Sequence, residues 1–407
     1  MISLRPDSTQ KTANPPRGVD PSQSTGLLDR YYQVSVRPVP DATSANPVPT
    51  ERETYPLYRR LDVAREISQT FDLDLRVEMC GLYAAPGQNA EIVRHSDGRH
   101  GFANLMRCGS VWQCPVCRSR IAGERAEEIN TAIVNAHAQG LRASLVTLTV
   151  QHSANDTLPE LLEVLKRSLS PMLEGRPGQR LKESMGYAGR IRAVEVKYNE
   201  ETGWHPHYHL LIFHSEEFDG DAFFRRWQLL VEKNGRIANR GGFDVQPVLM
   251  DRANASRVAG YLSKTESLHT SWGIGDEMAA SHAKHGKGET PEQLLERAGN
   301  GDADAIEAWI EYAHAMKGVS ALRWSPGLRD ALGLGKERTD EEIASEKTEE
   351  GETVRVLSVS EQFALVASKR RAAVLDAANK EGAAGIERVI AEAMEAVYGK
   401  RRSPFAA

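Results

Sequence analysis

The chain has 407 residues, 40% hydrophobic and 26% charged, which is enough for two or three modules with at least one sizeable core. A formal charge of −5 argues against a polyanionic partner, but residues 340–352 hold seven acids and one lysine, net −6, so the remainder sums to +1 and leaves basic patches for nucleic acid. No run nears the roughly 20 apolar residues of a membrane span, and the opening MISLRPDSTQ lacks a signal peptide's apolar stretch, so no membrane contact is expected and the cytoplasm is the expected compartment.

Residues 1–62 are rich in Pro, Ser, Thr and Asp and lack apolar periodicity, so they are expected to form a disordered arm. The segment 63–125 holds all four cysteines: Cys80, then Cys108, Cys114 and Cys117 in RCGSVWQCPVCRSR. A CPxC turn presents two thiolates to one ion, and two further cysteines close a tetrahedral site of the structural Zn²⁺ type. Reduced buried thiols or a redox CxxC are the competing readings, and the clustering of every cysteine in one stretch favours zinc. Because 27 residues separate Cys80 from Cys108, His95 or His100 is the alternative fourth ligand.

Next, SRIAGERAEEINTAIVNAHAQG places Ala122, Ala126, Ile129, Ile133 and Ala136 on one helical stripe that closes at Gly140. ASLVTLTV then switches to period two and reads as a strand. Thr157 and Glu160 form a capping box for a helix through Leu161, Leu162, Leu165 and Leu169. GRIRAVEVKYN and WHPHYHLLIF follow as a hairpin around EETG, then a helix with Phe223, Trp227, Leu230 and Val231 on its apolar face, a strand GGFDVQPVLM, and a helical ANASRVAGYLSKTE. The order βαββαβα predicts an α+β fold, with an antiparallel or mixed sheet carrying helices on one face and chemistry on the other. The small zinc-ribbon-like element precedes it. An accessory segment over 276–338, then an acidic linker and helical tail over 339–407, complete the expected organisation.

In WHPHYHLLIF the side chains of His205, His207 and His209 alternate, so they share one face of a strand, opposite Tyr208, Leu210 and Ile212. The hairpin brings Glu195 beside that strand, and one carboxylate with two imidazoles suits Mg²⁺, Mn²⁺ or Zn²⁺. His152 and His214 read as ordinary satisfied imidazoles. Arg118, Arg120 and Arg125 near the cysteines, and Arg190 and Arg192 before Glu195, are candidates for phosphate contacts in DNA, weighed evenly against solvated surface charge.

With these residues in view the chain resembles the replication initiators of rolling-circle plasmids, in the HUH endonuclease superfamily. LVTLTV, the HYH of WHPHYHLL and the YLSK of VAGYLSK carry the resemblance in order; CGSVWQCPVC and ALRWSPGLRDALGL also look like elements of such initiators, and the likeness spans roughly residues 75–335. It implies an HUH nuclease domain over 126–275. His207 and His209 become the paired ligands of a catalytic Mg²⁺ or Mn²⁺, Glu195 the third ligand, Tyr261 the nucleophile and Lys264 an assisting cation. His205 has the same parity as the pair and stands as an alternate ligand. Tyr261 and Lys264 at i and i+3 project from nearly one helix face. The implied activity is site-specific nicking of origin DNA, single-stranded at the cut, through a 5′-phosphotyrosine bond with later strand joining, in a bacterial cytoplasm, as a monomer or homo-oligomer. No Walker A loop occurs, so a host helicase would unwind and a host DNA polymerase would extend. A conjugative relaxase or HUH transposase, and a noncatalytic zinc-ribbon DNA-binding protein, are the alternative readings. Some relatives carry a second tyrosine, or a glutamate four residues before the first. Here Thr265 and Arg257 stand four residues after and before Tyr261, which leaves the second cleavage to Tyr261 of another subunit or to an acid such as Glu266.

Overall fold

Helix formation starts at a proline. In the computed structural model, which describes residues 55–248, 288–346 and 351–399, Pro56 opens α1 (Pro56–Thr70), with no N–H to lose at that position, and Leu61, Ala64 and Ile67 are buried at helical spacing. A 3₁₀ turn, Arg76–Met79, leads to the short strands β1 (Ala90–Arg94) and β2 (His100–Ala103). Helix α2 (Pro115–Ala138) begins at Cys114, whose Sγ accepts the Cys117 N–H at 3.4 Å, and ends beside Gly140 at φ 77°.

Strand β3 (Arg142–Leu148) is followed by α3 (Leu158–Leu169), where the Glu160 carboxylate accepts from the Thr157 N–H at 3.3 Å as the capping box predicts. Helix α4 (Gly175–Met185) was not expected, because Gly175, Pro177 and Gly178 in its first turn read as breakers. Then come β4 (Tyr187–Asn199), β5 (Gly203–His214), α5 (Gly220–Lys233) and β6 (Phe243–Val248). The β4–β5 turn is fixed by Asn199 Oδ1, which accepts the backbone N–H groups of Glu201 and Thr202 at 2.9 and 3.1 Å, and by Gly203 at φ 77°.

Beyond residue 288 lie α6 (Pro291–Gly299), α7 (Ala303–Ala315), β7 (Leu322–Trp324), α8 (Leu328–Ala331), α9 (Asp340–Ser345), β8 (Glu352–Leu357), α10 (Val359–Ala367), α11 (Arg371–Glu381) and α12 (Ala383–Tyr398). All described residues fall in one unit. Among the described residues no helix is long and apolar enough to cross a membrane.

The central sheet is antiparallel throughout, in the order β6-β3-β5-β4-β7. This bears out the α+β expectation. On one face α3 packs against β5, with Trp227 of α5 donating to the Thr149 carbonyl at 3.2 Å. On the other face Ile129, Ile133 and Ala136 of α2 meet Leu145, Ile191, Leu211 and Phe213, so this long helix covers one end of the face that carries Glu195, His207 and His209.

The last third of the chain does not stand apart. Strand β8 pairs with β1 in a second sheet, β2-β1-β8, which the cysteine region and the tail therefore share. The fully buried Arg371 of α11 pairs with Asp62 of α1, and Gln362 of α10 donates to the Gly81 carbonyl at 2.8 Å. The acidic stretch is partly neutralised in place, with Glu341 on Arg76 at 2.7 Å and Asp340 on Arg125 at 3.0 Å. The segment expected as a linker to a detachable tail is thus docked. Likewise α1 begins inside the segment expected as a disordered arm; residues 1–54 lie outside the described residues.

Candidate metal centre on the central sheet

Register alone assembles the first cluster. Glu195 faces His207 directly across the β4–β5 ladder, and His209 lies one same-face position further along β5, opposite Ala193 and Thr147. Glu195 Oε2 is 2.9 Å from Nε2 of His207 and 2.9 Å from Nε2 of His209. Both histidines are buried, and Glu195 is partly so.

The second nitrogens orient the two rings. A carbonyl can only accept, so the contact of His207 Nδ1 with the His205 carbonyl at 3.3 Å makes Nδ1 a donor and leaves Nε2 to serve as the ligand atom. Its Nε2 then turns a lone pair toward a carboxylate oxygen, which is repulsive unless a cation or a second proton lies among them. Two imidazole nitrogens and a carboxylate converging in this way fit a divalent ion, with one carboxylate and two imidazoles as its protein ligands. Thr147 Oγ1 lies 3.1 Å from His209 Nδ1 and orients the second ring. We expect Thr147→Val to weaken Mn²⁺ binding about 10- to 100-fold with little loss of stability, read by calorimetric titration. Unchanged affinity would show that the hydroxyl does not orient the ring.

His205 shares the face, its ring 5.3 Å from that of His207, but it is not part of the converging trio. Its Nδ1 lies 2.6 Å from Nε2 of His152, whose Nδ1 contacts the Thr202 carbonyl at 3.0 Å. Burial first, then the charges of His207 and His152, push His205 down to about 3, so it stays neutral. His152, read from sequence as an ordinary satisfied imidazole, is thus part of the wall beside the site. The only signal for it was its place just past β3. His214 is satisfied at the end of β5, 3.0 Å from Ser144 Oγ and 2.7 Å from the Glu216 carbonyl.

The second cluster joins Cys80, Cys108, Cys114 and Cys117, all buried, with Sγ separations of 3.4 Å for Cys80–Cys114, 3.6 Å for Cys80–Cys117 and 3.7 Å for Cys108–Cys117. Cys80 takes the fourth position. His100 is turned away to Asn379, at 2.6 Å. Hydrogen bonds from neighbouring thiols hold Cys80 well below the ordinary thiol range, whereas burial drives Cys114 well above it. Four thiolates cannot be ionised together here without a cation, and four sulfur donors suit Zn²⁺.

The candidate phosphate-binding arginines separate into two groups. Arg118 is buried in an ion pair with Glu292, Arg125 pairs with Glu128 at 2.7 Å and Asp340 at 3.0 Å, and Arg120 donates to the Glu346 carbonyl. These three are committed to the fold, which removes the reason to turn them toward phosphate. Arg190 and Arg192 differ from Glu195 by an odd number of residues, so they emerge on the opposite face of the sheet, away from the trio. Tyr261 and Lys264, with Arg257, Thr265 and Glu266, lie outside the described residues.

Residues 103–278 match the family model described as "Replication protein". This segment is similar to the replication-protein family. The match contains Glu195, His207, His209, Tyr261, Lys264 and three of the four cysteines. Among curated proteins the chain is similar to "Protein rep" of Streptomyces lividans, 28% identical over 61% of this chain and 68% of the relative. It is also similar to "Neomycin resistance protein" of Streptomyces cyanogenus, 33% identical over 35% and 38%, and to "Protein rep" of Lentilactobacillus hilgardii, 24% identical over 34% and 41%. The chain spans less than half the length of the latter two relatives. No solved structure matches it.

Proposed function

We propose that this protein initiates plasmid replication by nicking origin DNA, with Tyr261 as nucleophile and His207, His209 and Glu195 holding a catalytic Mg²⁺ or Mn²⁺. The observation that carries the reading is the convergence of Glu195 Oε2 on both Nε2 atoms at 2.9 Å, within a segment matching replication proteins. A bound divalent ion supplies Lewis-acid polarisation of the scissile phosphate. The protein's own residues do the rest. The Tyr261 phenolate attacks phosphorus, the P–O3′ bond breaks with its electron pair leaving on O3′, and that oxygen takes up a proton as a free 3′-OH. The 5′-phosphate remains on the tyrosine, so the energy of the phosphodiester is kept for strand joining. Lys264 is the cation in reach, in sequence, to favour the phenolate or position the phosphate. Host helicase and polymerase would then unwind and extend. The cysteine cluster would hold structural Zn²⁺, which fixes the start of α2 and, through that helix, one end of the catalytic face.

The test is direct. Purified protein incubated with a supercoiled plasmid bearing its own replicon should give open-circular DNA and a denaturant-resistant protein–DNA adduct in Mg²⁺ or Mn²⁺, and neither in excess chelator. Origin binding without either product in any divalent ion would overturn the nuclease reading.

A further inference from the structure

The register of the sheet edge places Arg192 of β4 directly opposite Arg323 of β7, with Arg190 two residues along the same face. Like charges directly opposed across an antiparallel pair repel and destabilise it. Several other arginines in packed positions meet carboxylates: Arg118 meets Glu292, Arg125 meets Asp340, and Arg297 meets Glu289 and Asp302. Among the described residues Arg190, Arg192 and Arg323 make no such ion pair. Arg192 is held instead by the Ser320 carbonyl at 2.8 Å and by the Tyr208 ring, 5.0 Å from its guanidinium carbon. Arg190 Nη1 and Arg192 Nε are buried with no hydrogen-bond partner.

These three arginines line a groove of about 500 Å³ between the sheet edge and helices α3 and α4, on the face away from the metal trio. Lys166 and Lys182 stand on its helical wall, the latter 5.7 Å from the centre of the Tyr187 ring, and among the described residues Glu174 is the only acid in the lining. Burial above all, with the neighbouring arginines adding to it, makes the charged form of Arg192 costly in the free protein. A groove with five cations and one acid is built for several anionic groups, and its volume exceeds what a single phosphate needs.

We propose that this groove on the reverse face of the sheet binds the phosphodiester backbone of a nucleic-acid strand, as a second contact distinct from the cut site. The identity of the polyanion rests on the DNA reading above; the groove and its charge do not. A strand held there adds affinity without base readout, because every phosphate presents the same oxyanion. The nicked segment itself would sit on the opposite face, so the two sites grip different parts of one DNA molecule.

Binding measured in chelator, where nothing is cut, keeps this separate from the nuclease reading. A fluorescein-labelled single-stranded oligonucleotide of origin sequence is titrated by anisotropy across a salt series. Lys182→Glu with Arg323→Glu, at half-buried and exposed positions, should lower affinity at least about 10-fold and reduce the salt slope by about 0.7 for each phosphate no longer neutralised. Arg323→Lys should retain most of the affinity. Arg323→Gln should weaken binding yet raise the melting temperature of the free protein, because it removes the repulsion with Arg192. Wild-type affinity and slope in the double charge reversal would overturn the proposal. So would a lowered melting temperature of Arg323→Gln with unchanged binding. Competition by inorganic phosphate or dAMP as effective as by unlabelled oligonucleotide would assign the groove to a small phosphate and overturn the strand reading.

Discussion

Replacing His209 by alanine is expected to abolish metal-dependent nicking while leaving binding to origin DNA nearly intact. The ring is almost fully buried and offers Nε2 to the same point as His207 and Glu195 Oε2, so its removal takes one of three protein ligands from the candidate ion. Losing Lewis-acid stabilisation worth several kcal/mol corresponds to a fall of about a thousandfold or more in rate. Glu195→Gln should fall by a similar factor for a different reason: the amide keeps the shape and loses the charge that balances the cation. Tyr261→Phe is the necessary contrast, since it should lose both nick and adduct yet keep wild-type Mn²⁺ affinity. Three variants with two readouts, metal titration and adduct formation, therefore separate ligand from nucleophile. Equal loss of cleavage and origin binding in His209→Ala would mean that the ring supports the fold or the DNA surface instead, and an adduct surviving in Tyr261→Phe would remove that residue from its assigned role.

Much of this site was legible because β-structure has a period of two. Alternation in WHPHYHLLIF put His207 and His209 on one face, and a short turn after GRIRAVEVKYN placed Glu195 opposite, which the ladder reproduces as Glu195↔His207. The same parity rule puts Arg190 and Arg192 on the other face, and their nearness to Glu195 in sequence obscures it. The fate of Arg118 and Arg125 was not legible at all, because Glu292 and Asp340 lie more than 170 residues away and only tertiary packing brings them together. Helix α4 was hidden behind Gly and Pro in its first turn, where such residues cost least. The docked tail was missed for a related reason. An acidic run reads as solvated until its partners are known, and ETVRVL, short and directly after that run, gives little sign that it is the third strand of a sheet begun at residue 90.

The cysteine cluster carries the second large expectation: Cys114→Ser with Cys117→Ser should release bound zinc and lower the melting temperature sharply. Structural zinc sites in small peptides are worth about 10–16 kcal/mol. Here the surrounding fold supplies part of the order, so a loss of several kcal/mol is the expected scale. The damage should follow the connections. Cys114 caps α2, the helix that packs on the site face, and Arg65 donates to the Cys80 carbonyl at 2.6 Å while pairing with Asp62, which also holds the buried Arg371 of the tail. Hydrogen exchange should accordingly rise first at residues 76–120 and the opening turns of α2, next in α11, and least in the middle of β5. Acid should reproduce the effect, because the ligands bind as thiolates and each proton gained competes with the ion. Elemental analysis of the purified wild-type chain decides the premise. Zinc near one equivalent, lost in the double variant together with the melting transition, fits a structural site; no zinc in the wild type, or full stability in the variant, would leave four buried thiols that pack without a metal.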